Sequence, residues 1–270
     1  MRVAVIGAGL IGGSFGKASR AAGHAVTLLH HGDATGFEDA ELILVCLPPP
    51  AIVLWVRAHA AAFRPGALVV DICGVKRTVL RDMAAVPREG WTFVGGHPMA
   101  GREVAGYANS RADLFVGASM VLTPFDGAPP ETLETLRAYF ASVGFATTVV
   151  TTAARHDEMI AFTSQLCHVI ATTYARDPRV KDAIGFSAGS YANMTRIATQ
   201  NAADWSALYA GNRDALVEVL DAFAARFRDL RDAIARDDRA AVMRFIEEGT
   251  AAKRQELLDR RRGDEAQDLV

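Results

Sequence analysis

Cysteine is scarce in this chain. Cys46, Cys73 and Cys167 are the only three in 270 residues, and they form neither a CxxC pair nor a metal-ligand spacing. A disulfide framework and a bound metal are therefore not expected, and a reducing cytoplasm is the expected setting. Net charge is small too, formally −2. That gives no general attraction for a nucleic-acid backbone or an acidic membrane, so neither is expected as a partner. No apolar run reaches bilayer length, because the most apolar stretch, 42–56, is broken by Pro48, Pro49 and Pro50. Repeats and low-complexity segments are missing as well. Apolar residues are plentiful: 50% of the chain is hydrophobic and 22% charged. Such a chain can offset its conformational entropy by burial, so disorder is not expected, and the length suggests about two domains.

The first half alternates short apolar runs with helical segments. Residues 3–6, 25–29, 42–47, 68–71 and 92–94 read as strands, followed by 120–123 and 146–150. The runs are continuous rather than alternating, which predicts a parallel sheet covered on both faces. Alternation of strand and helix predicts βαβ units and a doubly wound α/β fold. Between the second and third strands the chain is near the minimum for a crossover, so a helix there is very short or missing. After about Thr152 strand signals fade. Leu216, Val219, Leu220, Phe223, Phe227 and Leu230 repeat at helical spacing, and Ala241, Val242, Phe245 and Ile246 begin a second stripe. The expected division is a nucleotide-binding domain over 1–152 and an all-helical domain over 153–270, whose stripes suit burial against a second copy of the chain. The charged end of the chain is expected to fray.

Gly7-Ala8-Gly9-Leu10-Ile11-Gly12 is a GxGxxG pattern after the first strand and at the start of a helix. In that context it predicts a dinucleotide site. Glycines allow a tight turn and close approach of a pyrophosphate, and the helix N-terminus supplies free N–H groups. The acidic residue that would hold the ribose hydroxyls of NAD is missing at the end of the second strand. His30 and His31 stand there instead, followed by Asp33. Histidine suits either a 2′-phosphate or solvent, so NAD and NADP both remain open.

Ligands of doubly wound sheets bind beyond the carboxyl ends of the strands. Those ends carry the glycine pattern, His30, Pro48, the segment Asp71 to Lys76 including Gly74, and Gly95-Gly96-His97-Pro98. Strand order thus brings His97 to the cofactor crevice, where a histidine can take the proton of an alcohol being oxidised. The plainer alternative is a loop histidine bonded to backbone. In the second half, Arg196 can clamp a carboxylate or sit in a surface ion pair, and Trp205 can line a pocket or anchor a core. His156 and Asp157 stand at a helix start, with Ser164, Gln165 and His168 on the following turns, Ser164 and His168 at i, i+4 spacing.

Five segments together resemble the prephenate/arogenate dehydrogenase family of tyrosine biosynthesis: GAGLIGGS at 7–14, DICGVK at 71–76, GGHPMAGRE at 95–103, HDEMIAFTSQLCH at 156–168 and TRIATQNAADW at 195–205. The likeness runs over nearly the whole length. It implies a Rossmann-type domain followed by a helical domain that dimerises. It also implies hydride removal from C4 of a cyclohexadienol ring to NAD or NADP, with loss of carbon dioxide. By the same likeness, His97 bonds the ring hydroxyl and Arg196 binds substrate carboxylate. Glu103 and Asp157 form an ionic network with that arginine, and His168, Trp205, Ser164 and Gln165 line the substrate pocket. Two positions depart from the pattern: Gly74 replaces a serine near the catalytic histidine, and Gln165 replaces a histidine. Prephenate is the first expected substrate and arogenate the second. A non-catalytic dinucleotide sensor and a 3-hydroxy-acid dehydrogenase are the competing classes, both disfavoured by the joint presence of His97 and Arg196 in their motifs.

Overall fold

The computed structural model describes residues 1–30, 32–33 and 35–267, with 261–267 as backbone alone. They belong to two compact units, Met1–Leu216 and Val217–Val270. The first unit is built on one sheet of β1 (Arg2–Ile6), β2 (Ala25–Leu29), β3 (Leu42–Val45), β4 (Ala67–Asp71), β5 (Trp91–Pro98), β6 (Ser119–Pro124) and β7 (Thr147–Val150). Their order across the sheet is β2-β1-β3-β4-β5-β6-β7. Helices α1 (Leu10–Ala21), α2 (Pro49–His59), α3 (Arg77–Met83) and α4 (Pro130–Ser142) cover its two faces.

Strand alternation divides the core. Val3 and Val5 of β1 face a cluster with Phe15 of α1 and Leu136, Tyr139 and Phe140 of α4. Ala4 and Ile6 face the other, with Ile52, Trp55 and Val56 of α2 and Val79, Leu80 and Met83 of α3. Both sides of β1 and β3 are thus buried, and this is why those strands read as unbroken apolar runs.

The β2–β3 connection holds no helix among the described residues, as its length predicts. One expectation is corrected. β1 to β5 are mutually parallel in sheet order, but β6 runs antiparallel to β5, and β7 is parallel to β6. The reason lies between β5 and β6, where the chain carries only a short 3-10 turn at Tyr107–Asn109. Without a crossover helix the chain returns directly beside the strand it left. This pairing also lengthens β5. The sequence suggests a strand over 92–94 and a loop at His97, whereas His97 is a strand residue paired with Val121.

Beyond β7 the chain is helical. Thr152 caps α5 (Ala153–Ile160) by accepting from the Arg155 N–H at 3.2 Å. A single π turn, Ala161–Gln165, joins α5 to α6 (Leu166–Ala175). There follow α7 (Gly189–Thr195), a 3-10 turn at Arg196–Ala198, α8 (Ala202–Gly211) and α9 (Arg213–Ala235). The second unit consists of the rest of α9 and α10 (Arg239–Gln267), whose first turn Asp238 caps through the Ala241 N–H. Within that unit the predicted apolar stripes are partly covered: Val219, Leu220, Phe223, Leu230, Ala241 and Val242 are half-buried, whereas Phe227 is 63% and Ile246 59% exposed.

Candidate active site

The glycine pattern forms a cradle. Gly7 adopts φ 102°, a conformation that favours glycine, and turns the chain from β1 toward α1. A Cβ on Gly12 would collide with the Gly7 carbonyl, so the third glycine is required by packing. Gly9 is different: a Cβ there would meet no atom within 4 Å. No side chain caps the N-terminus of α1, where Leu10 and Ile11 begin the first turn, and no acidic residue stands in that turn. A cleft of about 460 Å³ opens here, lined by Gly7, Gly9, His30, Cys46, Leu47 and Pro48 among others. Open space over Gly9, free amides and a positive helix end fit a dinucleotide pyrophosphate. Asp33 is occupied locally, its carboxylate accepting the His30 N–H at 2.7 Å. His31 lies outside the described residues.

The carboxyl ends of β4 and β5 hold a buried polar cluster. Lys76 is fully buried, and its Nζ donates to Asp71 and to the Gly96 carbonyl. Burial opposes the charge of Lys76, but Asp71 and the Cys73 thiol hold its pKa above the ordinary lysine value. Burial pushes the Cys73 thiol up to about 12. Beside this cluster the His97 ring bonds a side chain, not backbone. Its Nδ1 lies 2.9 Å from Nε2 of His156, and Nδ1 of His156 lies 2.7 Å from Oδ1 of Asp157. Burial first, then His156 and Lys76, drive the pKa of His97 well below the usual histidine value. Burial also lowers that of His156, against the pull of Asp157. The opposite edge of the His97 ring faces Gly74: a Cβ there would sit 3.7 Å from both Nε2 and Cε1 of His97 and 3.3 Å from Leu208 Cδ2.

Leu208 belongs to α8, and so does Trp205 one turn earlier. The Trp205 and His168 rings pack with centroids 3.7 Å apart, and His168 Nδ1 is 3.1 Å from the Ile197 carbonyl. His168 lies in the fields of Glu103 and Arg196, although burial is the larger cause of its lowered pKa. Arg196 pairs with Glu103, with side chains 63% and 47% exposed. His97, Gly74, α8, His168 and the Arg196–Glu103 pair therefore form a continuous series of neighbours.

Two sequence expectations change. Asp157 does not join Arg196. Its oxygens accept the Lys76 N–H at 2.8 Å and the Arg77 N–H at 2.9 Å, besides bonding His156, so it is committed to the start of α3. Gln165 is buried and bonds the Leu208 carbonyl and Asn212, so it ties α6 to the end of α8 rather than facing a pocket. The π turn accounts for this by offsetting the helix at Gln165. Ser164 is half-buried, and no hydrogen bond links it to His168 among the described residues. The role of His156 was not apparent from the sequence. Its only sign was the His-Asp pair at a helix start.

The family model described as prephenate dehydrogenase, nucleotide-binding domain, matches residues 7–149, and that described as prephenate dehydrogenase, dimerization domain, matches 152–248. A cyclohexadienyl dehydrogenase of Zymomonas mobilis is 29% identical over 280 residues, covering 93% of this chain and 94% of its own. A prephenate dehydrogenase of Lactococcus lactis is 27% identical over 79% of this chain and 60% of its own. The crystal structure of Synechocystis arogenate dehydrogenase superposes with a TM-score of 0.81 over 94% of this chain and 99% of that one, at 23% identity, a likeness of fold.

Proposed function

Because the chain belongs to the prephenate dehydrogenase family of oxidoreductases, we propose that it oxidises and decarboxylates prephenate, with arogenate as the second substrate, using NAD or NADP. The observation that carries this reading is the placing of His97 beside Gly74, with α8, His168 and Arg196 following in series. Gly7, Gly9, Leu10, Ile11 and Gly12 would hold the dinucleotide with His30 and Pro48. When bound it supplies the hydride acceptor. His97 accepts the proton of the ring hydroxyl and holds the oxygen in place. Arg196 binds a substrate carboxylate with guanidinium N–H groups that Glu103 leaves free, since only Nη1 is bonded to that acid. His168 and Trp205 form the pocket wall between them. Loss of the ring carboxylate gives an aromatic phenol, so the reaction is downhill once the alcohol is oxidised.

Residues 1–152 hold the cofactor and supply His97, and 153–270 supply the rest of the substrate pocket and the dimer. The free thiols of Cys46, Cys73 and Cys167 support a reducing compartment, the cytoplasm. Among the described residues no helix is long and apolar enough to cross a membrane. The test is reduced-nicotinamide absorbance with prephenate and with arogenate, each with NAD⁺ and with NADP⁺. Turnover in at least one pairing is expected, and the leading pairing assigns substrate and cofactor. Folded protein that turns over none of them overturns the reading.

A further inference from the structure

The chain of bonds behind His97 fixes where its protons lie. Asp157 receives backbone N–H groups on both oxygens, from Lys76 on one and Arg77 on the other. A carboxylate so placed acts as an acceptor, so Nδ1 of His156 carries the hydrogen that it shares with Asp157 at 2.7 Å. In neutral His156 the other nitrogen, Nε2, is then bare. The 2.9 Å contact between His156 Nε2 and His97 Nδ1 needs one hydrogen, and only His97 can supply it. The remaining nitrogen of His97, Nε2, keeps its lone pair on the Gly74 edge.

We propose that His156, fixed by Asp157, is a positioning residue that selects the tautomer of His97 and turns its basic nitrogen toward the substrate. The proposal rests on the reading of His97 as the base of this site. During turnover the hydroxyl O–H bond breaks and its proton goes to His97 Nε2. The ring C=O forms as the C4 hydrogen leaves with its bonding electron pair for the nicotinamide dinucleotide. After carbon dioxide departs, the ring oxygen takes the proton back from Nε2. No proton is lost overall, so the chain behind His97 has no proton to export. It holds the ring and spreads the transient imidazolium charge toward Asp157. The other charged groups around the two rings are Lys76 and Asp71, which form a buried ion pair.

Histidine ¹⁵N spectra of the whole protein read the tautomer directly and need no substrate. The chain holds only 7 histidines. The expected spectrum has His97 protonated on Nδ1 and bare on Nε2; the reverse tautomer overturns the proposal, whatever the activity. Two variants then separate positioning from packing. In H156Q the amide can donate to Asp157 while its carbonyl accepts from His97, so the tautomer persists and kcat stays within about tenfold. In H156F the ring shape is kept but the acceptor is lost, so the tautomer preference disappears and kcat drops about a hundredfold. KM and dinucleotide affinity stay within about twofold in both, since neither variant removes a binding contact. If H156F is as active as H156Q or more so, His156 is packing and the proposal fails. If the wild type turns over nothing, the functional reading fails while the spectrum still decides the tautomer.

Discussion

Glycines that look equivalent in the sequence carry different duties here. Gly12 is pressed against the Gly7 carbonyl, so Gly12→Ala is expected to cost about 1–3 kcal/mol through overpacking, seen as a lowered urea midpoint. Gly9 has open space around it, so Gly9→Ala keeps its stability and instead weakens dinucleotide binding, which calorimetry would detect. Equal loss of stability in both would contradict the division. At the substrate end, Arg196→Ala is expected to lower kcat/KM about 10–100-fold, the size of a lost charge-assisted contact of about 1.5–3 kcal/mol. An unchanged kcat/KM removes Arg196 from the site. His97 also fixes a pH dependence. A base works in its neutral form, and burial, His156 and Lys76 lower its pKa. Activity should therefore hold as pH falls past the ordinary histidine value of about 6.5 and decline only below it. An acid limb above that value in the kcat/KM profile would refute the assignment.

Among the elements, the ends of β4 and β5 are held by one buried cation. Lys76 bonds Asp71 at the end of β4 and the Gly96 carbonyl in β5. Lys76→Met leaves Asp71 buried without its partner, and removing one member of a buried pair costs about 3–5 kcal/mol. Urea unfolding measures this, and a loss below about 1 kcal/mol would place the pair among weak surface contacts. The π turn between α5 and α6 has a comparable part. It brings Gln165 to Asn212, whose amide also donates to the Asp157 carbonyl at 2.8 Å, so α5, α6 and the start of α9 share one junction.

For the molecule as a whole, a near-neutral surface cannot draw an anionic substrate from a distance. On the proposed function the attraction is local, at Arg196 and the N-terminus of α1. The exposed Phe227 of α9 and Phe245 and Ile246 of α10 support a second copy of this chain as their cover, and light scattering at micromolar concentration should give twice the chain mass; the mass of one chain contradicts a dimer. Acid stability follows from His97 and His156 together. Both have lowered pKa values in the folded state, so on acidification the unfolded chain takes up protons first. Stability is fully present above about pH 6.5 and is lost as pH falls below it. Urea midpoints across pH 5 to 8 test the direction, and a rise on acidification would reverse it.

The dinucleotide cradle, the strand sequence and the helical second half were legible in the residues. Each depends on short-range periodicity or on turn chemistry within a few positions, as Gly7 to Gly12 and the run at β3 illustrate. Strand order also pointed to His97 near the carboxyl end of β5, where its ring lies beside Gly74. Tertiary structure decided the rest. It reversed β6, drew Asp157 away from Arg196 to the start of α3, buried Gln165 against Asn212, and joined His97 to His156 across 59 positions of sequence. No local signal announces such partners. A buried carboxylate or imidazole takes whichever donors the packed elements bring to it, because leaving it unpaired away from water costs more than any local preference supplies.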